Sequence, residues 1–567
     1  MVGSSAPQQI ALICLLMSST FCISSTVDQG RDYWYEEAGR ALHQRLRGWG
    51  SAPLADRPSA RNIVLLVGDG LGMTTTTASR IFKGQRHGMS GEDSHLSWDK
   101  FPAVALTKTY NLDAQIGESS ACATALLCGV KTNFETVGLD ARGRFEDCYS
   151  SLHSKVDSLV VWAQQEGKST GLVTNTRVSH ATPAALYAHS ASRYWEDDSK
   201  IPPRTRKTCK DITRQLIEDK PGVNMNVILG GGRRHWLPKV ARDPEQTLEE
   251  GRRLDGRNLI DDWLRDKKKK NQRAEYVWNK QQLDAVSVAS VDYLLGLFSY
   301  SHMDFEAERD KKSTGDPSLA EMTAKALKIL LKNPRGFFLF VESGRIDHAH
   351  HYNNPYRALD ETLSLDEAVM MVLSMVDPSD TLVVVTSDHS NVLTLGGLAT
   401  PRGNPILGTD TKPSDMDGLP YSSLLYGNGP GYTSPRAIPS NTSEEERNAV
   451  HGAAVPRQWA THGGEDVPVY AQGPLARELF SGTVDQSYIP HAIAYIACLG
   501  HQKSRCSEVK NETKESTSCA VTEGPKSRSG LVLASSVMSD DNKVASKSAI
   551  HYCRVIISTL LVIILVS

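Results

Sequence analysis

An α/β fold, with a mostly parallel central sheet sandwiched between helices, is what the sequence predicts. Five short apolar runs, at residues 63–67, 170–174, 227–229, 336–341 and 382–386, read as buried strands. Helical periodicity separates them, most clearly over 317–331 and 356–376. Strands that alternate with helices pair in parallel and bury both faces. Ionisable residues recur where the runs end: Asp69, Glu342, and Asp388 with His389, while His180 and Thr182 come soon after 170–174. Ligands of open α/β sheets bind outside the carboxyl ends of the strands. Repeated polar placement at that edge predicts one convergent site.

The chain has 567 residues, a formal net charge of −2 and 40% hydrophobic residues. That content supplies a large core, and the near-neutral charge gives no reason to expect nucleic acid as a partner. The lysine run 267–270 reads as a solvated loop. Residues 396–460 are rich in Gly, Pro and Ser without periodicity and read as an insertion of loops or a small subdomain.

Both termini carry processing signatures. Residues 10–23 are apolar and lead into Ser24, Ser25 and Thr26, the layout of a signal peptide over 1–25. Residues 555–566 are apolar apart from Ser558 and Thr559. A spanning helix needs about 20 apolar residues, so this stretch falls short. The polar stretch 507–548 precedes it, with small residues Ser546, Ser548 and then Ala549. That is the layout of a glycosylphosphatidylinositol (GPI) attachment region whose tail, 549–567, is removed; a tail-anchored helix is the alternative. The expected destination is the extracellular face of the cell membrane, by the secretory pathway. Such a chain admits disulfides. Of ten cysteines, Cys498 and Cys506 lie close enough in sequence to close a small loop, and Cys148 with Cys209 is a candidate long-range pair. Cys122 and Cys128 sit in an apolar helical segment as buried thiols, and Cys519 is left over. Sequons at Asn441 and Asn511 predict glycosylation.

The densest chemistry lies between Glu342 and His351, where two carboxylates and three imidazoles fall together. A helix over Asp347 to His351 places that pair on one face. Mixed carboxylate and imidazole ligands suit zinc, and oxygen-rich ones suit magnesium. Ser119 precedes a run of small helix formers, so it is expected at a helix N-terminus, where free N–H groups attract phosphate. Taken alone it reads as an ordinary N-cap.

Five segments narrow this further. Val67-Gly68-Asp69-Gly70-Leu71-Gly72, Gly117 to Ala125, Val341 to His351, Thr386-Ser387-Asp388-His389 and Thr461-His462-Gly463-Gly464-Glu465-Asp466 occur in that order. With them the chain resembles the alkaline phosphatases over about residues 34–506, taking 26–506 as the catalytic domain. Phe337 to Glu342 and Leu425 to Tyr432 resemble the animal branch. The resemblance implies a homodimer that hydrolyses phosphate monoesters through a phosphoserine at Ser119. It implies two zinc ions and one magnesium ion per subunit. Asp347, His351 and His462 would hold one zinc, and Asp69, Asp388 and His389 the other. Asp69, Thr182 and Glu342 would hold magnesium, with His180 in its outer shell. Arg193 would grip the phosphate, 396–460 would form a crown-like insertion, and Cys148–Cys209 and Cys498–Cys506 would be disulfides.

Three positions depart from that family. Glu118 replaces an aspartate that docks the arginine, and its extra methylene predicts a more mobile Arg193. Asn391 replaces an outer-shell histidine. At the family's calcium site, matched by Glu245, Phe298, Ser299 and Asp316, Ser299 replaces a carboxylate, which counts against calcium. Sulfatases and phosphodiesterases are related alternatives, but no Cys-x-Pro-x-Arg motif is present, and such diesterases generally use threonine and lack the arginine grip. A GPI-anchored binding protein of weak activity is the alternative from another class. Phosphatidylinositol-specific phospholipase C should release the protein from intact cells, and truncation after Tyr552 should give secretion; retention of the full chain after lipase treatment would favour the tail-anchored helix.

Overall fold

Each apolar run is the heart of a strand that extends beyond it. The computed structural model describes residues 29–47, 58–398, 400–438 and 447–506, which leaves the 1–25 leader, Asn441, Asn511, Cys519, the 507–548 stretch and the 549–567 tail outside the described residues. The strands are β1 (Asn62–Gly68), β2 (Ala103–Lys108), β3 (Ser169–Arg177), β4 (Val227–Gly231), β5 (Ala274–Val277), β6 (Tyr293–Leu297), β7 (Phe337–Ser343) and β8 (Thr381–Ser387). After them come β9 (Ser390–Asn391), β10 (Leu393–Leu395), β11 (Thr409–Pro413), β12 (Pro420–Ser422), β13 (Leu424–Gly429), β14 (Ala453–Pro456), β15 (His462–Gly463), β16 (Val467–Gln472) and β17 (Gly482–Asp485). Ten of them form one sheet in the order β17-β2-β16-β8-β1-β7-β3-β4-β6-β5. All but β16 run in one direction.

Both faces of this sheet are buried, which is why its central strands read as continuous apolar runs. In β1, Ile63, Leu65 and Val67 enter one core and Val64 and Leu66 the other. In β7, Phe338 and Phe340 face one side and Phe337, Leu339 and Val341 the opposite side. The helices that matter below are α1 (Arg31–Leu46), α2 (Met73–Arg86), α3 (Ser119–Cys128), α4 (Leu259–Lys269), α5 (Leu319–Leu330), α6 (Arg345–His351), α7 (Pro355–Met375) and α8 (Tyr488–Ala497). Helix α5 starts at a capping box between Ser318 and Glu321, and α7 at an Asn354 cap followed by Pro355. These signals close the orphan N–H groups of each first turn.

The strands that periodicity does not announce have identifiable reasons. β2 alternates buried and exposed residues, with Val104 and Leu106 exposed. β6 carries an interior glycine, and β16 carries Pro468 although it lies between β2 and β8. Lys267 departs from the solvated loop expected of its run. It lies in α4 with 1% exposure, donates to Val223 O at 2.5 Å, and has its ammonium 3.9 Å from the Tyr293 ring centroid. Burial brings it down to about 8. Segment 396–460 supplies β13 and β14, which join the preceding β10 in a small three-stranded sheet, and the β11-β12 pair. These share a core of Phe82, Leu359, Leu393, Leu407, Leu424 and Tyr426 with α2 and α7. Cys148 is bonded to Cys209 and Cys498 to Cys506, and Cys122 and Cys128 are free and buried. Among the described residues no helix is long and apolar enough to cross a membrane.

Phe340 is fully buried at the centre of the sheet. Phe340→Ala should destabilise the protein by about 3–5 kcal/mol through lost burial and a residual cavity, measured by chemical unfolding. A loss under about 1 kcal/mol, the size expected of a surface change, would contradict this packing.

Candidate active site and metal centre

Strand register assembles the site before any side chain is considered. β1 lies between β7 and β8, and Val67 is in register with Glu342 on one side and Thr386 on the other. Asp69 therefore leaves the sheet between Glu342 and the Asp388–His389 pair. A two-residue ladder between β9 and β15 brings distant His462 opposite Asn391. Helix α6, which follows β7 after a single residue, presents Asp347 and His351 one turn apart. Ser119 opens α3 as its first residue.

The side chains converge into adjoining sets. His351 Nε2 is 2.9 Å from Asp347 Oδ2, and His462 Nε2 is 3.5 Å from Asp347 Oδ1. His389 Nε2 lies 3.4 Å from Asp69 Oδ1 and 3.4 Å from Asp388 Oδ2. Ser119 Oγ is 3.2 Å from His389 Nε2. Asp69, His180 and Glu342 form a further group close enough to share one cation. Thr174 and Thr176 donate their hydroxyls to Glu342 Oε2, which orients the carboxylate.

Two features show that these residues fit cations. Asp69 Oδ1 and Oδ2, Asp388 Oδ2, Glu342 Oε1 and Thr182 Oγ1 are buried without hydrogen-bond partners. Unpaired buried carboxylates are costly unless a cation joins them. Burial, then mutual repulsion, pushes Asp69 far above the carboxylate range. Burial pushes Asp388 and Glu342 up to about 7, with neighbouring carboxylates adding to it. Burial also raises Asp347, but His351 and His462 outweigh it and hold this carboxyl well below its ordinary value.

The imidazoles supply the second feature. His351 Nδ1 meets Ala460 O at 2.7 Å, His462 Nδ1 meets Gly117 O at 2.9 Å, and His389 Nδ1 meets Ser390 O at 3.2 Å. A carbonyl only accepts, so each Nδ1 carries its proton, and in the neutral ring each Nε2 keeps its lone pair. That is the tautomer a metal ligand needs. Sequence gives no signal for these backbone partners. Burial brings His389 and His462 down to about 4, which keeps them neutral. Burial lowers His351 too, but Asp347 beside it outweighs this and raises that imidazole, and a cation would take the place of its second proton.

Glu118 and Arg193 are closely engaged. Glu118 Oε2 accepts from Arg193 Nη1 at 2.6 Å. The same carboxylate accepts from Ser120 N–H, Ser120 Oγ, Ala121 N–H and Glu135 N–H at 2.9, 2.6, 2.8 and 2.9 Å. The extra methylene lets the carboxylate fold over the start of α3, so Glu118 is the N-cap and Ser119 is not. Against the expectation from its length, Glu118 holds Arg193 docked. It also occupies the N–H groups of Ser120 and Ala121 in the first turn of α3. Burial pushes Glu118 up, but Arg193 and the Ser120 and Ala121 donors outweigh it and bring it below its ordinary value.

Other expected residues lie apart from this centre. His350 is satisfied by Thr75 Oγ1 at 3.0 Å and Tyr426 Oη at 2.8 Å, so only His351 of the three clustered imidazoles joins Asp347. Asn391 Nδ2 donates to Asp347 Oδ1 at 3.1 Å, a contact a neutral amide supports as well as an imidazole N–H. At the calcium positions, Glu245 is paired with Arg233, and Ser299 Oγ donates to His302 O at 2.9 Å. Burial and then Glu245 raise Asp316 to about 7, and Phe298 is fully buried at the end of β6. Arg233 thus competes for the Glu245 carboxylate, and Ser299 offers a neutral hydroxyl where the family has a carboxylate. His302, which sequence reasoning missed, forms a three-imidazole group with His180 and His348. Here guanidinium groups face the rings: Arg177 contacts His302 Nε2 and Arg345 lies 3.1 Å from His348 Nδ1. Donors behind an imidazole take the lone pair, the reverse of the carbonyl pattern, so this group does not fit a metal.

The raised carboxylates generate a pH test. A carboxyl with a folded pKa above its unfolded value stabilises the folded state below the unfolded value, and this is lost as pH rises through the folded one. For Asp388 and Glu342 that window runs from about 4 up to about 7. The increase in thermal midpoint on adding zinc and magnesium to stripped protein should therefore be larger at pH 8 than at pH 5.5. An equal or smaller increase at pH 8 would contradict the crowding of unpaired carboxylates.

A family model for alkaline phosphatase matches residues 60–499. The chain is 46% identical over 513 residues to the tissue-nonspecific alkaline phosphatase of Gallus gallus, covering 89% of this chain and 97% of that one. It is 45% identical to an alkaline phosphatase of Gadus morhua over 83% of this chain and 98% of that one. The tissue-nonspecific isozyme of Homo sapiens is 42% identical over 87% and 94%. Among solved structures, the Thermus thermophilus alkaline phosphatase superposes with a TM-score of 0.55 at 23% identity, covering 82% of this chain and 99% of that one; that likeness bears on the fold alone. With the family model spanning most of the chain and relatives this similar over nearly their whole length, the chain belongs to the alkaline phosphatase family.

Proposed function

We propose that this alkaline phosphatase cleaves phosphate monoesters by attack of Ser119 Oγ, forming a phosphoserine that water then hydrolyses. The observation that carries this reading is the position of Ser119 Oγ, 3.2 Å from His389 Nε2 and beside the unpartnered carboxylates of Asp69 and Asp388. Asp347, His351 and His462 would hold one zinc and Asp69, Asp388 and His389 the second. Asp69, Thr182 and Glu342 would hold magnesium, with His180 beside them. Two zinc ions and a magnesium ion, when bound, would supply charge that favours ionisation of the attacking hydroxyl, stabilises the leaving oxygen and offsets the charge of the phosphate.

The protein's own residues provide the rest. Strand ends and α3 fix Ser119 against the carboxylate cradle, which replaces a bimolecular encounter by a positioned attack. Arg193 Nη1 is held by Glu118 and Nη2 lies 3.4 Å from His180 Nε2, and a planar guanidinium matches two phosphate oxygens at once. The covalent intermediate divides one hard displacement into two easier ones. The family resemblance supports a homodimer, with the 396–460 insertion near its interface. The leader and tail patterns support delivery to the extracellular face and a GPI anchor.

Ser119→Ala should abolish the labelled phosphoenzyme and lower turnover of p-nitrophenyl phosphate by orders of magnitude, with a residue of activity from the remaining cradle. Chelation should remove activity, and zinc with magnesium should restore it. Labelled phosphate trapped on another residue, or full activity after chelation, would sink the proposal.

A further inference from the structure

The turn carrying Glu135 touches both members of the Arg193–Glu118 pair, and the mechanism above gives it no role. Thr136 N–H closes the turn on Asn133 O at 3.3 Å. Glu135 is the third residue of this turn and has φ of +60°. Glycine or asparagine ordinarily fills such a place, because a Cβ crowds the left-handed conformation. Neighbours hold the turn there. Asn133 Nδ2 donates to Ala141 O and Gly143 O at 3.0 and 2.7 Å, and Phe134 N–H donates to Asp113 Oδ1 at 2.9 Å. Backbone held in a sparsely populated region recurs at functional sites.

Three groups of this one residue reach the phosphate grip. Its N–H donates to Glu118 Oε1 at 2.9 Å. Its carbonyl accepts the backbone N–H of Arg193 at 2.9 Å. Its carboxylate accepts the hydroxyl of Tyr194. The arginine's backbone, the acceptor of its guanidinium and the residue after it are thus referred to a single turn. The positive φ lets the N–H and the carbonyl reach their two partners together, and with the N–H held on Glu118, rotation to the right-handed region would swing the carbonyl away from Arg193.

We propose that Glu135 is a positioning residue for the phosphate grip. Its backbone registers Arg193 against Glu118, and its carboxylate latches Tyr194 so that the guanidinium keeps a fixed place relative to Ser119. The inference rests on the reading of Arg193 as the phosphate-binding group. Partial burial, and next the bond to Glu135, push the Tyr194 phenol up to about 12, so the latch still has its hydrogen at alkaline pH.

The test uses full-length, zinc- and magnesium-loaded enzyme at one alkaline pH. Turnover and KM for p-nitrophenyl phosphate, and the inhibition constant of inorganic phosphate, are measured for Glu135→Gly, Glu135→Gln, Tyr194→Phe and Arg193→Ala. Glycine accepts the positive φ but lacks the latch, and glutamine keeps an acceptor for the hydroxyl. Glu135→Gly and Tyr194→Phe should each weaken phosphate inhibition by about tenfold, the scale of one charge-assisted hydrogen bond, with zinc content and thermal midpoint unchanged. Glu135→Gln should stay near wild type, and the Glu135→Gly/Tyr194→Phe pair should be no worse than either alone. Phosphate constants within about twofold of wild type in both Glu135→Gly and Tyr194→Phe, the scatter of neutral surface changes, would overturn the latch. If Arg193→Ala also leaves the phosphate constant unchanged, the arginine reading itself fails; if Arg193→Ala alone weakens it, only the role of Glu135 does.

Discussion

The structure turns on one electrostatic constraint: four carboxylates, Asp69, Glu342, Asp347 and Asp388, are buried together at the end of the sheet. Unpaired charges in a low-dielectric interior repel strongly and lose their hydration. Asp347 alone has enough neighbouring imidazole and amide contact to stay low, while Asp69 and Asp388 are driven upward. The arrangement makes sense as a cradle for cations, and the backbone carbonyls behind His351, His389 and His462 set the matching tautomers. The contrast with His180, His302 and His348 is instructive. Similar residue types stand equally close, yet the guanidinium donors behind two of those rings make them a poor metal site.

Such crowding needs a rigid frame. Parallel register places Asp69, Glu342 and Asp388 at adjacent strand ends, and two apolar layers lock the strands from both sides. Close approach also requires a glycine at position 70. Its φ is +74°, and a Cβ there would lie 2.2 Å from Asn391 Nδ2 and 3.0 Å from Asp347 Cβ. The same Asn391 amide bonds Asp347, so the turn after β1 and the first set of ligands are packed as one unit.

Much of this was legible in the sequence because burial on both faces writes itself as apolar runs, and because the site hangs on the ends of those runs. Asp69, Glu342, Asp388 and His389 could be placed by that rule alone. His462 could not: its approach depends on the short β9–β15 ladder, which leaves no periodic signal. Asp347 and His351 were legible as a helical pair, but His350 in the same stretch belongs to Thr75 and Tyr426, a distinction that only packing makes. The side-chain length at position 118 misled, because the chain folds the longer arm onto a helix N-terminus. The role of Lys267 was hidden because the rings of Trp263 and Tyr293 come from outside the lysine run.

Anomalous diffraction at the zinc absorption edge, from crystals of active enzyme, tests the cation cradle most directly. The account predicts two zinc peaks about 4 Å apart, one among Asp347, His351 and His462 and one among Asp69, Asp388 and His389. No zinc peak should fall among His180, His302 and His348. Fully active crystals without zinc at the first two positions, or with zinc at the three-imidazole group instead, would contradict it.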